Sequence, residues 1–403
     1  MNILLSTFGS RGDVEPMAAL AVALRGLGAK ATVSAPADPE FLRLLDRIEV
    51  PLAPAFMPVR AFVDLARRSQ WKLPQTAAAL IRGQHEAISE AAAGCDLIVA
   101  TGLFPSVAAA QAVAESRGLP FAWVSFCPVI LPSPHHPPLS YPGHPTPPDV
   151  TDNRALWAFN DQAMDALFGE AVNRCRAALG LPVPRHVRDH VFTRRPLLAA
   201  DPVIAPWPGG DLIDPVQTGA WRLPDDRPLP LEVEAFLEAG EPPVYIGFGS
   251  MPMETLKAAG RAVVEAIRRH GRRAILSRGW AGLDLDEVGD DACVIGEVNQ
   301  QALFPRVAAV IHHGGAGTTT AAARAGTPQV LVPQVADQPY FAGRVATLGL
   351  GAAHDGPAPT AESLFAALDL ALRPETRARA AALAPTIRDD GAAVAARWLL
   401  YGL

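Results

Sequence analysis

The stretch IHHGGAGTTTAAARAG, Ile311–Gly326, decides how the rest of the chain is read. The apolar residues before it run as a strand into His312 and His313. Gly314, Gly315, Ala316 and Gly317 follow, small enough for a ligand to approach the main chain closely. Thr318, Thr319 and Thr320 then open an Ala-rich helix that Gly326 closes. Strand, glycine turn and helix start in this order make an anion site, because the first amides of a helix are unpaired and its dipole is positive there. A diphosphate suits it best, with His313 as an added donor; a tight turn without a ligand is the alternative. Adjacent strand residues point to opposite faces, so one of the two histidines lies in the core or on the surface. No metal is expected.

Moving toward the C-terminus, PQVADQPY (Pro333–Tyr340) directly follows a strand. Asp337 and Gln338 offer an acceptor and a donor to sugar hydroxyls; a cap on the following helix is a compatible role. Moving the other way, GFGS (Gly247–Ser250) ends a strand over Val244–Phe248, where Gly249 permits close approach and Ser250 has a hydroxyl for a phosphate. SRGW (Ser277–Trp280) ends the next strand, and Trp280 fits either base stacking or the core. Helices are expected near Thr255–His270, Ala361–Leu372 and Pro374–Leu403. Strands are expected at Cys293–Ile295, Ala309–His312 and Gln329–Val332.

The first half repeats the pattern. Strand Asn2–Thr7 runs into FGSRGD (Phe8–Asp13), then a helix over Glu15–Leu27 and a strand at Lys30–Ser34. Helices near Thr76–Ala93 and Ser106–Ser116 alternate with strands at Asp96–Ala100 and Pro120–Ser125. Apolar strands alternating with amphipathic helices imply parallel sheets covered on both faces. The fold class is α/β, with two Rossmann-like domains facing across a cleft and ligands at the carboxyl ends of the strands. FGSRGD is not G-x-G-x-x-G, which opposes a plain dinucleotide site. Arg11 has the reach for a phosphate. Asp13 is either a helix cap or a carboxylate base at the mouth of the cleft.

Between the halves, Cys127–Pro148 is dense in Pro and His and reads as a long loop. Asn153–Leu179 reads as one long helix, and Asp201–Pro230 as linker plus the start of the second domain. The boundaries are 1–205 for the first domain and 206–388 for the linker and second domain. The chain has 403 residues, 49% of them apolar and 19% charged, which excludes disordered and fibrous classes. A net charge of −6 gives no electrostatic pull toward nucleic acid or anionic lipid. Cys95, Cys127, Cys175 and Cys293 form no C-x-x-C pair, so no disulfide framework is expected. No signal peptide or membrane-spanning run is evident, and a cytoplasmic location is expected.

Together these motifs resemble the inverting nucleotide-sugar glycosyltransferases of the two-Rossmann, glycosyltransferase-B, fold. The resemblance rests on GSRGDVEP at Gly9–Pro16, GFGS at Gly247–Ser250, and the signature from Gly296 to Gln338. The signature contains H-x-G-x-x-T (His313, Gly315, Thr318), G-x-P (Gly326, Pro328) and D-Q (Asp337, Gln338). VQTGAW, ILSRGWA and HDGPAPT look like actinobacterial enzymes that glycosylate antibiotic aglycones, especially the vancomycin group. GSRGD also occurs in sterol glucosyltransferases, which keeps a sterol or lipid acceptor as an alternative. In another class, a nucleotide-sugar-binding partner without turnover is the competing reading.

The resemblance implies a bulky aglycone held by the first domain and a nucleotide-sugar co-substrate held by the second, with no other cofactor. It implies Asp13 as general base and Asp337 at the sugar. Donor-binding residues would be Ser10, Arg11, Gly249, Ser250, Trp280, Val298 (through its backbone), His313, Gly315, Ala316, Gly317, Thr318 and Gln338. It also implies that 389–403 packs back on the first half. A monomer or weak dimer is expected. Plant relatives carry a Glu eight residues after the signature His; here Ala321 stands there. The donor is left between UDP-glucose and a dTDP-sugar.

Overall fold

In the computed structural model the described residues are 1–249, 255–279 and 289–402. The chain divides into two compact units. One comprises Met1–Pro202, Pro206–Leu223 and Asp389–Leu403, and the other Val203–Ala205 and Pro224–Arg388.

The first unit is built on a seven-stranded parallel sheet: β1 (Asn2–Phe8), β2 (Lys30–Ala35), β3 (Leu52–Pro54), β4 (Leu97–Gly102), β5 (Phe121–Ser125), β6 (Leu197–Leu198) and β7 (Val216–Gln217). Their order is 3-2-1-4-5-6-7. β1 is central and buried, with Ile3 opposite Ala31 on one side and Leu97 on the other. Such strands read as continuous apolar runs because helices cover both faces. The helix Arg11–Gly26 follows β1 at once and buries Val14, Met17, Leu20 and Leu24 at helical spacing. The last helix, Gly391–Tyr401, packs on it.

Residues 206–223 stay with this unit, whereas their composition reads as part of the second. The reason is non-local: the amides of Val216 and Thr218 donate to Pro196 O (2.9 Å) and Leu198 O (3.0 Å), adding β7 to the sheet edge. Two-residue strands are too short to show a hydrophobic period. The helix expected over Asn153–Leu179 is present, with one π turn at Asp165–Gly169 inside it. Asp165 on that turn meets His186 Nδ1 (2.7 Å) and the Val187 amide (2.9 Å). The Pro/His-rich segment is pinned down: Trp157 Nε1 donates to His136 O (2.9 Å) and Asn153 Nδ2 to Pro134 O (2.9 Å). Helices Pro39–Arg47 and Val59–Arg68 are not among the elements that the sequence pattern announces.

Among its described residues the second unit carries a six-stranded parallel sheet: β8 (Val244–Gly247), β9 (Ala274–Ser277), β10 (Ala292–Ile295), β11 (Ala309–His312), β12 (Gln329–Leu331) and β13 (Gly351–Ala353). Their order, 10-9-8-11-12-13, is again the 3-2-1-4-5-6 pattern counted within the sheet. One apolar cluster lies under Val263, Ile267, Leu364 and Leu368, another around Val233, Tyr245, Phe304 and Ala322. In such sheets the strand order reverses at a switch point, where loops from neighbouring strands part and leave room for a ligand. Here that point is the β8/β11 pair, so the turns after Gly247 and His312 flank it. Among the described residues, no helix is long and apolar enough to cross a membrane.

Candidate active site

In the second unit, β11 delivers His312 and His313 to different surroundings. His312 is fully buried. Its Nδ1 accepts from the Gly314 amide (3.1 Å), so the proton sits on Nε2, which donates to Gln329 Oε1 (2.9 Å). Gln329 Nε2 in turn donates to Thr319 O (3.3 Å). Burial pushes His312 down to about 3, with His313 beside it a further cause, so the ring is neutral. It is the core histidine of the pair and the template of the turn, binding the amide on one side and, through Gln329, the helix on the other.

His313 lies between Gly249 and Gly315. A Cβ at Gly315 would lie 2.7 Å from His313 Nε2, and one at Gly249 would lie 3.1 Å from its Cε1. Gly249 also has φ +59, a conformation only glycine adopts freely. Both positions therefore require glycine for the ring to sit where it does. Burial pushes His313 down to about 4, and among the described residues its Nδ1 meets no partner. A neutral imidazole has one N–H to donate and brings no net charge.

Gly315 is the N-cap of the helix Ala316–Arg324. Having no side chain, it caps no amide. The Thr319 amide closes the first turn on Gly315 O (3.0 Å). The amides of Ala316, Gly317 and Thr318 precede it and have no intrahelical acceptor. Thr319 and Thr320 turn their hydroxyls back to Gly315 O (2.9 Å) and Ala316 O (2.8 Å). Thr318 does not, and is partly exposed. The turn thus gathers His313, Gly315, Ala316, Gly317 and Thr318 as one donor-rich surface with positive potential at its centre.

The Asp337–Gln338 turn adjoins it: a Cβ at Gly314 would lie 3.2 Å from Gln338 O. Gln338 is buried, and its Oε1 accepts from the amides of Gln334 (2.7 Å) and Val335 (3.1 Å). That oxygen shapes the turn. Asp337 occupies the N-cap of Gln338–Leu348, yet its side chain bonds none of the helix amides. The capping role is not the one its carboxylate plays. Burial pushes the carboxyl up to about 6. Val298 packs with the cluster around Ile295 and Leu303. Its neighbour Asn299, which the motifs did not flag, donates from Nδ2 to Asp225 O (2.9 Å) and Arg227 O (2.8 Å). Ser250 and Trp280 lie outside the described residues.

In the first unit, Ser10 is the N-cap of Arg11–Gly26 and Asp13 is its third helical residue. Ser10 Oγ accepts from the Gly12 amide (3.3 Å), and Asp13 Oδ2 accepts from the Ser10 amide (2.8 Å). Asp13 is thus one half of a capping box and not the N-cap itself. Arg11 Nε donates to Glu15 Oε2 at 2.7 Å. Ser10 and Arg11, expected at a phosphate, both bond within their own helix.

The family model described as "Erythromycin biosynthesis protein CIII-like, C-terminal domain" matches residues 275–395. Over nearly its full length the chain is similar to proteins of Amycolatopsis orientalis. It is 52% identical to glycosyltransferase GtfE, covering 98% of this chain and 96% of that one. It is 51% identical to vancomycin aglycone glucosyltransferase (99% and 97% covered) and 46% identical to dTDP-epi-vancosaminyltransferase (94% and 92%). Among solved structures, the glycosyltransferase of kitacinnamycin superposes with a TM-score of 0.72 at 20% identity, covering 100% of this chain and 99% of that one. That likeness establishes the shared two-Rossmann fold.

Proposed function

The chain belongs to the vancomycin-group family of antibiotic glycosyltransferases, and from that premise we propose that it transfers glucose from a nucleoside diphosphate glucose to a hydroxyl of a glycopeptide aglycone, with inversion. The observation that carries the sugar and the acceptor class is the 51% identity, over 99% of the chain, to vancomycin aglycone glucosyltransferase.

The chemistry follows from the two turns. An acceptor hydroxyl must lose its proton as it attacks the anomeric carbon, and the leaving diphosphate must have its growing charge met. Asp13 is the proposed general base. Its Oδ2 is spent on the Ser10 amide, which fixes the carboxylate in place. The leaving diphosphate is received by the amides of Ala316, Gly317 and Thr318, with His313 donating beside them. Preorganised donors of this kind stabilise developing charge without reorganising when it appears. Asp337 would accept from sugar hydroxyls. Since this clamp is made of amides and a helix end, turnover is expected to need no metal and to survive a chelator.

The test uses purified protein with UDP-glucose and dTDP-glucose against a panel of vancomycin-type aglycones, read by mass spectrometry. A gain of one hexosyl residue, with the anomeric configuration opposite to the donor's, is the expected product. Absence of any sugar transfer to every glycopeptide aglycone would overturn the acceptor assignment. Preference between the two donors names the nucleotide.

A further inference from the structure

The segment ahead of Asp337 is held more firmly than a connecting loop requires. Ala336 has φ +55, in the left-handed region that a residue with a Cβ occupies only when its surroundings enforce it. Gln334, two residues before it, is bonded on several sides. Its amide donates to Gln338 Oε1 (2.7 Å), while its side-chain Nε2 donates to Val332 O (3.1 Å) and to Pro357 O (3.0 Å). The Val335 amide reaches the same Gln338 oxygen. Pro357 is itself on an anchored loop. His354, buried, has Nδ1 2.9 Å from Gly356 O and Nε2 2.7 Å from Ser363 Oγ, which belongs to the N-terminal cap of Ala361–Ala371. A chain of bonds thus runs from one helix start, through Gln334, to the start of the next at Asp337.

We propose that Gln334 is a positioning residue for the donor sugar: by tying the Val335–Gln338 turn to the Gly356–Pro357 loop it keeps Ala336 left-handed and so aims the Asp337 carboxylate. This rests on the reading that Asp337 holds the sugar of a nucleoside diphosphate donor. The diphosphate turn at His313–Thr318 takes no bond from Gln334, so the two halves of the donor should respond differently to its loss. A residue needed only for folding would weaken both together.

The experiment measures wild type, Gln334→Ala and Gln334→Glu. Glutamate keeps the size of the side chain but cannot donate to Val332 O and Pro357 O. For each, binding of free UDP and dTDP is measured by calorimetry, and kcat and KM with the glucose donors by turnover. Both variants are expected to bind the free nucleotides as wild type does while losing on the order of tenfold to a hundredfold in kcat, the loss typical of a reacting group moved by about an ångström. Ala336→Gly in the Gln334→Ala background is expected to recover part of that loss, because glycine enters the left-handed region without the steric cost. Equal weakening of free nucleotide and sugar nucleotide, or no recovery by Ala336→Gly, overturns the proposal. If wild type turns over neither sugar nucleotide, the donor reading falls first, visibly, and the proposal with it.

Discussion

Two turns in this molecule flank the switch points of their sheets, one after the first strand and the other after the fourth counted within its sheet, and are finished differently. Ser10–Asp13 follows β1, the strand beside β4 where the order of the first sheet reverses. Gly314–Thr318 follows β11, the strand beside β8 at the corresponding reversal in the second. The first turn bonds within itself: Ser10 caps the helix, Asp13 takes the Ser10 amide, and Arg11 pairs with Glu15. The second has a glycine cap, two threonines folded back on its own carbonyls, and a neutral histidine above it. The lesson is that strand order fixes where ligands go, while capping chemistry fixes what a helix end offers. A capped end keeps its amides and presents a fixed carboxylate, suited to a proton. An uncapped end leaves its amides for an anion.

The contrast breaks most sharply at Asp13. Asn at this position keeps an oxygen for the Ser10 amide but has no basicity. Asp13→Asn is therefore expected to melt near the wild-type temperature and to bind donor normally, while kcat falls by roughly a hundred- to ten-thousandfold, the range for a lost general base. Near-wild-type kcat at saturating substrates would remove Asp13 from the mechanism. His313→Ala should differ in kind. It removes one donor beside the leaving group, so kcat/KM drops on the order of a hundredfold, and the affinity for free UDP or dTDP drops with it. If nucleotide affinity is untouched, the imidazole is not at the diphosphate.

Much of this was legible in the sequence, and the parts that were not share a cause. Central strands such as Asn2–Phe8 and Ala309–His312 declare themselves, because a strand buried on both faces is a short apolar run whatever its partners. The signature around His313 was equally plain, since glycines between a strand and a helix have few other uses. Hidden were the features defined by distant partners. The placement of 206–223 depends on a two-residue strand bonding across to β6. Gln334 stands inside PQVADQPY, but nothing local reveals that its side chain reaches Pro357. The motif offers Gln338 as a sugar ligand but does not announce that its Oε1 accepts from two amides only three and four residues back.

Asp337 sharpens the comparison through pH. Its carboxyl rises from 3.8 to about 6 on folding, so the folded state binds more protons than the unfolded one between those values. Stability from this group therefore falls as pH rises through that window, and the penalty is complete above it. Asp337→Asn removes the penalty. It should melt higher than wild type above pH 6 and lose that advantage below the reference value of 3.8. Its turnover should nonetheless fall, because the ionised carboxylate is the form that accepts from sugar hydroxyls. For wild type the donor KM should rise as pH drops below about 6. An Asp337→Asn protein with no gain in melting temperature at high pH would mean that burial does not strain this group.

The smallest expected effect lies at Ser10, and it separates capping from chemistry. Ser10→Ala deletes the hydroxyl that accepts from the Gly12 amide and donates a long bond (3.5 Å) to Asp13 Oδ2, but leaves the Ser10-position amide to donate to Asp13 Oδ2 at 2.8 Å. A lost serine cap costs about 1 kcal/mol, which in a unit of this size lowers the melting midpoint by roughly 2–4 °C. Donor affinity should not change, since Ser10 bonds within its own helix. kcat should fall by less than about tenfold, because the Asp13 carboxylate keeps the bond that fixes it, well short of the loss expected for a missing base. A fall in nucleotide affinity without a change in melting would reverse the assignment: it would mean that the Ser10 hydroxyl leaves its helix to reach the donor, and that the capped turn is not as closed as its hydrogen bonds indicate.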